Sequence, residues 1–470
     1  MNLSEKIKSP LYHRFVNWLY KKADYTSAPI AETMIRTAIT MLAATIALAG
    51  YNIVDTYFVG KLGKIPLAGM SLTFPLVMFI GCILRGFASG IMAITSQIIG
   101  AKKMDKAAKV TTAGFLLAGL VSIILAWLGV HSLDYVLRQI MNSSAEATPY
   151  AQKYMKIYYY GCFTATLGMC GNDMLIATGD SSRASSLMLF GLLLNVVLDP
   201  LFIWGIPNLL PAFGIGGAAI ATVIAQLTGA LLAIFFLWKH HHLIRFQWIP
   251  MKLLLAFWKK ITLFAIPSSL GMLMIPIGSL ILTRIINHFG DTVLAAIGTA
   301  QKIETMAFIF PMSLGMTLMP MVGQNYGAKL YSRIHQCRRF SMRFALVFLL
   351  CMAAVYFLTS KWLAVPFTEN EDVRYYIAYS LRIVPWGYAF VEIHRYSTFF
   401  FTGCGHPVIA AFLNAYRIIL LVVLAIVAQY LQSIFLIFLF NAVANIIAGL
   451  TGWGMVRHMT KHFPADGIKI

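Results

Sequence analysis

Asn195 and Asp199 stand four residues apart in the apolar run LLLNVVLDPLFIWG, so one face of a helix carries an amide oxygen beside a carboxylate. Such a pair supplies hard oxygen ligands for a small cation, or a site for a proton. Pro200 follows directly; it withholds a backbone hydrogen bond from the Val196 carbonyl and can bend the helix. Asp55, Glu304 and Glu392 are three further acids in long apolar stretches. A charge at the bilayer centre costs about 2.5–3.5 kcal/mol on insertion scales, so acids kept there usually face a cavity and act in it. A structural Asp199, bonded only to neighbouring helices, is the plainer alternative.

The elements that hold these residues are membrane helices. The chain has 470 residues, 59% hydrophobic and 11% charged, with mean hydropathy +0.75; soluble domains carry roughly 25% charged residues. Apolar runs of 18 or more residues recur, each enough for a bilayer core of about 30 Å. Alternating strand-like segments are not apparent, which argues against a barrel. The expected fold is an all-α polytopic membrane protein with twelve transmembrane helices, centred near residues 46, 82, 119, 164, 194, 227, 275, 308, 351, 387, 419 and 445. Several runs are closer to 30 residues than 20, which suggests tilt or kinking.

The net charge of +20 is topological. Lys102, Lys103, Lys106 and Lys109 cluster in one even-numbered connection, Lys239, Arg245, Lys252, Lys259 and Lys260 in the next, and Lys329, Arg333, Arg338, Arg339 and Arg343 in a third. The positive-inside rule then puts both termini in the cytoplasm. Anionic inner-leaflet lipid is the expected contact, and nucleic acid is not. Six scattered cysteines show no CxxC spacing, so neither a disulfide nor a metal centre is expected. Residues 1–29 read as a cytoplasmic segment rather than a signal peptide, and the aromatic and basic stretch 12–22 as a candidate surface helix.

Two halves are related. A shift of 227 residues pairs Gly63, Leu67 and Ala68 with Gly290, Leu294 and Ala295, and Gln97, Gly100, Ala101 and Lys102 with Gln324, Gly327, Ala328 and Lys329. The implied partition is a first lobe at 30–238, a cytoplasmic linker at 239–260, a second lobe at 261–457 and a tail at 458–470. Six spans per repeat give two six-helix lobes with a pseudo-twofold axis along the membrane normal and a cavity between them. The linker's His240, His241 and His242 read as an exposed loop tract, with metal binding the less favoured alternative.

Here the chain resembles a known family. VDTYFVGKLG at 54–63, NVVLDPLFIWG at 195–205 and GIGGAAIATVIAQ at 214–226 are similar to signatures of the MATE (multidrug and toxic compound extrusion) transporters, with the DinF-like bacterial branch the nearest match. The resemblance implies a bacterial cytoplasmic (inner) membrane protein that exchanges an organic compound for incoming Na⁺ or H⁺. It also implies that Asp55, Asn195, Asp199 and Thr222 take the coupling ion, Na⁺ or H⁺, with no other cofactor. Taken alone, Asp55 is equally an interfacial aspartate and Thr222 a packing residue. Span seven has no acid, so a carboxylate site there is absent.

The second half carries its own charges. Lys302 and Glu304, two apart, point to different faces; in the DinF-like branch such pairs are read as lining the central cavity. Glu392 and Arg395 are three apart and can neutralise one another, with His394 between them. Tyr388, Met272 and Met306 are candidate liners for flat organic cations. Small organic cations or amphipathic compounds are the expected cargo, with a monomer sufficient. A flippase for a lipid-linked precursor is the alternative, kept open by intramembrane arginines. No GxxxxGK[ST] loop supports an ATP-driven pump, and Glu392 and His394 lie on different helix faces, which argues against an enzyme.

Overall fold

The computed structural model describes residues 17–245 and 248–467, so residues 12–16 of the candidate surface helix at 12–22 lie outside the described residues. The first half folds as α1 (Ile30–Gly60), α2 (Lys64–Gly100), α3 (Met104–Tyr135), α4 (Thr148–Tyr160), α5 (Cys162–Ala177), α6 (Ser181–Trp204) and α7 (Ile215–Lys239). The second half folds as α8 (Met251–Asn287), α9 (Asp291–Gly327), α10 (Tyr331–Ala364), α11 (Glu371–Ile383), α12 (Tyr388–Gly403), α13 (Pro407–Tyr430) and α14 (Ile434–Lys461).

Among the described residues ten of these helices are long and apolar enough to cross a membrane. The other four form two interrupted spans, α4 with α5 and α11 with α12, which completes the expected twelve. Each interruption has a local cause. At Gly161, between α4 and α5, a Cβ would lie 2.1 Å from Val223 Cγ2, so α7 packs directly on the backbone there. Between α11 and α12 the turn Val384–Gly387 contains Pro385, which has no N–H to donate. Helices α2, α8 and α9 run for 37 residues each and contain Pro75, Pro267 and Pro276, and Pro311 and Pro320 respectively.

The repeat is visible in the backbone. Both α2 and α9 end in a left-handed lysine, Lys102 at φ 56° and Lys329 at φ 59°. The same cap follows each: Lys103 N donates to Ile98 O at 3.1 Å and Leu330 N to Asn325 O at 2.9 Å. A non-glycine residue at positive φ is uncommon; its recurrence at one offset marks a shared design.

Two compact units result, one from Ile39–Ile266 with residues up to Asp24, the other from Tyr25–Ala38 with residues from Pro267 onward. This division differs from the expected one at 239–260. Residues 25–38 join the second unit because Asn325 Nδ2 donates to Tyr25 O at 2.8 Å, an Arg333 guanidinium nitrogen to Ala28 O at 2.6 Å, and Thr37 Oγ1 meets Thr317 Oγ1 at 3.1 Å. Helix α8 starts at Met251, within the stretch read as linker, and Trp258 Nε1 donates to Ala113 O at 2.9 Å in the first unit.

His241 is buried rather than part of an exposed tract. Its Nε2 lies 3.0 Å from Asp180 Oδ2, and Arg183 binds the same carboxylate oxygen at 2.7 Å. Asp180 also caps α6 by accepting from Arg183 N at 3.3 Å. Burial alone would push the Asp180 carboxyl up, but the His241 and Arg183 contacts outweigh it and hold it below the ordinary range. A carboxylate depressed in this way stabilises the fold above its unfolded pKa of about 3.9. That contribution is lost as pH falls through the lower folded value. Asp180→Ala is therefore expected to cost about 1 kcal/mol or more at neutral pH, read as a lower Tm in detergent. The gap to the wild-type protein should shrink below about pH 4.

Candidate functional site

In the first unit, four helices bring one acid cluster together. Asp55 comes from α1, Tyr154 from α4, Asn195 and Asp199 from α6, and Thr222 from α7. Asp55 Oδ2 accepts from Thr222 Oγ1 at 3.0 Å and from Tyr154 Oη at 3.1 Å. Asn195 Nδ2 donates to Asp199 Oδ1 at 3.2 Å and lies 3.3 Å from Thr222 Oγ1. All five side chains are buried. Three oxygens in the cluster, Asp55 Oδ1, Asn195 Oδ1 and Asp199 Oδ2, have no hydrogen-bond partner. The two carboxyl groups face one another at interaction distance, and no ion pair reaches either among the described residues. Two such acids, deprotonated together in a low-dielectric site, call for a cation or a shared proton.

A cavity of about 250 Å³ opens beside this cluster, lined by Asp55, Tyr154 and Thr222 but not by Asn195 or Asp199, which lie behind. Its wall also holds Asn172 and Gln226, whose side-chain oxygens lack partners. With Asp55 Oδ1 this makes an acceptor-rich wall that suits a donor-bearing or cationic guest. Arg85 and Asp173 close one side as an ion pair at 3.7 Å. Asp173 corrects the count of four acids in apolar stretches: it is a fifth, 5% exposed on α5. The polar residues around it in CFTATLGMCGNDMLIA hide it from a search for apolar runs. Tyr154 was also missed; its signal is the spacing to Tyr158, whose ring stacks on it at 6.4 Å.

In the second unit a separate cavity of about 330 Å³ is lined by Glu304, Phe308, Tyr388, Arg417 and Asn445, among others. The Tyr388 hydroxyl faces Glu304 without forming a well-aligned hydrogen bond. Glu392, fully buried, pairs with Arg395 at 3.0 Å, and the Arg395 guanidinium lies 5.8 Å over the Phe308 ring. His394 Nε2 meets Asn414 Oδ1 at 3.1 Å, and Arg417 Nε donates to Asn445 Oδ1 at 2.9 Å. Glu304 and Tyr388 thus meet at this cavity; Lys302, Met306 and Met272 are not among its lining residues, and Lys302 and Met306 are exposed.

A family model, MatE, matches the chain twice, over residues 41–201 and 267–427. Those two segments are 226 residues apart, within one residue of the offset of the internal repeat. A FAD transporter of Shewanella oneidensis is 27% identical over 436 residues, covering 92% of this chain and 96% of that protein. A probable multidrug resistance protein of Bacillus subtilis is 24% identical over 72% of this chain and 73% of its own length. The crystal structure of a Vibrio cholerae MATE transporter in a bent form superposes with a TM-score of 0.86, 25% identity and coverage of 92% and 97%.

The hydroxyl bonds to Asp55 are testable alone. Tyr154→Phe keeps the buried ring and removes one donor, and is expected to cost about 1.5–3 kcal/mol if the acid is charged. Thermal unfolding of the purified variant measures it; an unchanged Tm would mean that this bond contributes nothing to the folded state.

Proposed function

The chain belongs to the MatE family of multidrug and toxic compound extrusion transporters, and we propose that it exports organic cations in exchange for H⁺ or Na⁺ through the acid cluster of its first unit. The observation that carries this reading is the buried Asp55 and Asp199 pair, which with Asn195 leaves three oxygens unpartnered. A proton shared by the acids, or a Na⁺ held by oxygens of Asp55, Asn195, Asp199 and Thr222, offsets the cost of the two charges. Asp55 also faces the adjacent cavity, so a cationic cargo there and a cation on the cluster draw on the same carboxylate. Ion entry then favours cargo release, and cargo binding favours the empty cluster. Differential affinity of this kind is what alternating access requires.

A second reading of the cargo rests on the other cavity. Arg417 and Phe308 line its wall, and Arg395, which does not line it, lies over the Phe308 ring. An acidic aromatic compound finds there both a guanidinium and apolar surface. The Shewanella oneidensis relative is named as a FAD transporter, and FAD is a compound of that class.

Full-length protein in proteoliposomes separates these readings. Na⁺ and pH gradients are imposed one at a time, with a fluorescent organic cation or FAD as cargo. Cation movement driven by one gradient, and reduced about tenfold or more in Asp199→Asn, is expected. Movement insensitive to both gradients would overturn antiport. FAD movement that is lost in Arg417→Gln, with no cation movement in the wild-type protein, would favour the second cargo.

A further inference from the structure

The sequence assigns its basic clusters to one side of the membrane, and several arginines on that side have partners. Arg183 pairs with Asp180, Arg245 with Asp105, and Arg333 with the carbonyls of Tyr25 and Ala28. One group differs. Where the first turns of α10 approach the last turns of α14, a cleft of about 450 Å³ is lined by Arg338, Arg339, Arg343, Arg457 and Lys461. None of these five is in an ion pair among the described residues. Arg338 Nε is buried without a hydrogen-bond partner, and the charges acting on Arg338 are those of Arg339 and Arg457. Asp466, the acid at the margin, acts on His335, and its carboxylate is held by Ser332 N at 2.9 Å and Ser332 Oγ at 2.5 Å. Like charges gathered in a cleft without a counter-charge create a demand for an anion.

The cleft continues into an apolar groove. Arg339 and Arg343 line both, and the groove runs along one face of α10 to Cys351 with a volume of about 640 Å³. Its floor is a ladder of Phe340, Phe344 and Phe348, with ring centroids 6.3 and 5.4 Å apart and planes inclined by 19° at each step. From Phe340 to Cys351 a helix rises about 16 Å, the depth of one leaflet of a bilayer core about 30 Å thick. Trp453, exposed at the cleft and lying 5.6 Å from the Arg457 guanidinium, has the chemistry of an interfacial residue.

We propose that this cleft and groove form a binding site for one anionic phospholipid, its phosphate held by the arginines and one acyl chain laid on the phenylalanine ladder. A soluble anion would use the cleft and leave the groove bare. A zwitterionic lipid would use the groove and leave the charge only partly met. An anionic lipid satisfies both, in the order in which they occur along α10.

The test is native mass spectrometry of the full-length protein in detergent, titrated with phosphatidylglycerol or phosphatidylcholine. The wild-type protein is expected to retain one phosphatidylglycerol in preference to phosphatidylcholine. The triple variant Arg339→Gln, Arg343→Gln, Arg457→Gln, all at exposed positions, is expected to lose that preference by about tenfold or more. A control variant, Lys102→Gln, Lys103→Gln, Lys106→Gln, removes the same charge from another exposed cluster and should keep it. Equal loss in both variants would reduce the effect to net charge and overturn the site. Displacement of the lipid by millimolar inorganic phosphate would overturn it in favour of a soluble anion. Phe344→Ser, which leaves the charges intact, should weaken phosphatidylglycerol retention; unchanged retention would exclude the groove.

Discussion

An acid inside an apolar bundle must be given donors, a counter-ion or a proton, and the arrangement of both units follows from how each acid is served. Asp173 has Arg85, and Glu392 has Arg395. Asp55 has two hydroxyls on one oxygen and nothing on the other. Asp199 has the Asn195 amide on one oxygen and nothing on the other. The first two acids carry a fixed cation within the fold. The last two face each other without one among the described residues.

The repeat shows how this difference arose on one scaffold. Turns and caps recur at offsets that agree within one residue: Gly63 with Gly290, Lys102 with Lys329, Gly179 with Gly405, all at positive φ. The chemistry does not recur. Carried through the matching helices, Asp55 falls on Leu282, Asn195 on Leu421 and Asp199 on Ala425, while Glu392 falls on Thr166 and Arg417 on Gly191. Gly191 is informative in its own right, since a Cβ there would lie 2.2 Å from Tyr51 Oη. In one unit the position admits a tyrosine beside the acid cluster; in the other it supplies a guanidinium to a cavity wall. The framework sets where helices turn, and the side chains within it are free to carry separate tasks.

The sequence made the framework legible because length, hydropathy and charge asymmetry each report on the bilayer directly. The Asn195 and Asp199 pair was legible for the same kind of reason: four residues on a helix share a face. Asp55 and Thr222 were not, since their partnership is made between two helices far apart in sequence, α1 and α7, and only the family resemblance pointed to it. Tyr154 and Asp173 escaped because the span that holds them is broken at Gly161 and polar on both sides of the break, which removes the continuous apolar run. His241 was misplaced for a related reason. A tract of three histidines reads as solvated, yet a single acid, Asp180, suffices to draw the middle one into the fold.

The division of Asp55 between cluster and cavity gives the proposed exchange a local origin. Its Oδ2 is bonded within the cluster, its Oδ1 is unpartnered, and the residue lines the cavity wall. A unit positive charge about 4 Å from the carboxylate interacts with it by about 4 kcal/mol at an effective dielectric constant near 20. Once a proton or a sodium ion has neutralised the carboxylate, most of that attraction is no longer offered to a cationic guest. Nothing has to be transmitted over a distance for the two to oppose each other, because they compete for one charge. Helix α1, which carries Asp55, has its first turns assigned to the second unit and its remainder to the first. On the proposed reading, the element that senses the ion is also the one whose two ends answer to different units, so a change in its charge can bias a conformational equilibrium as well as a binding one.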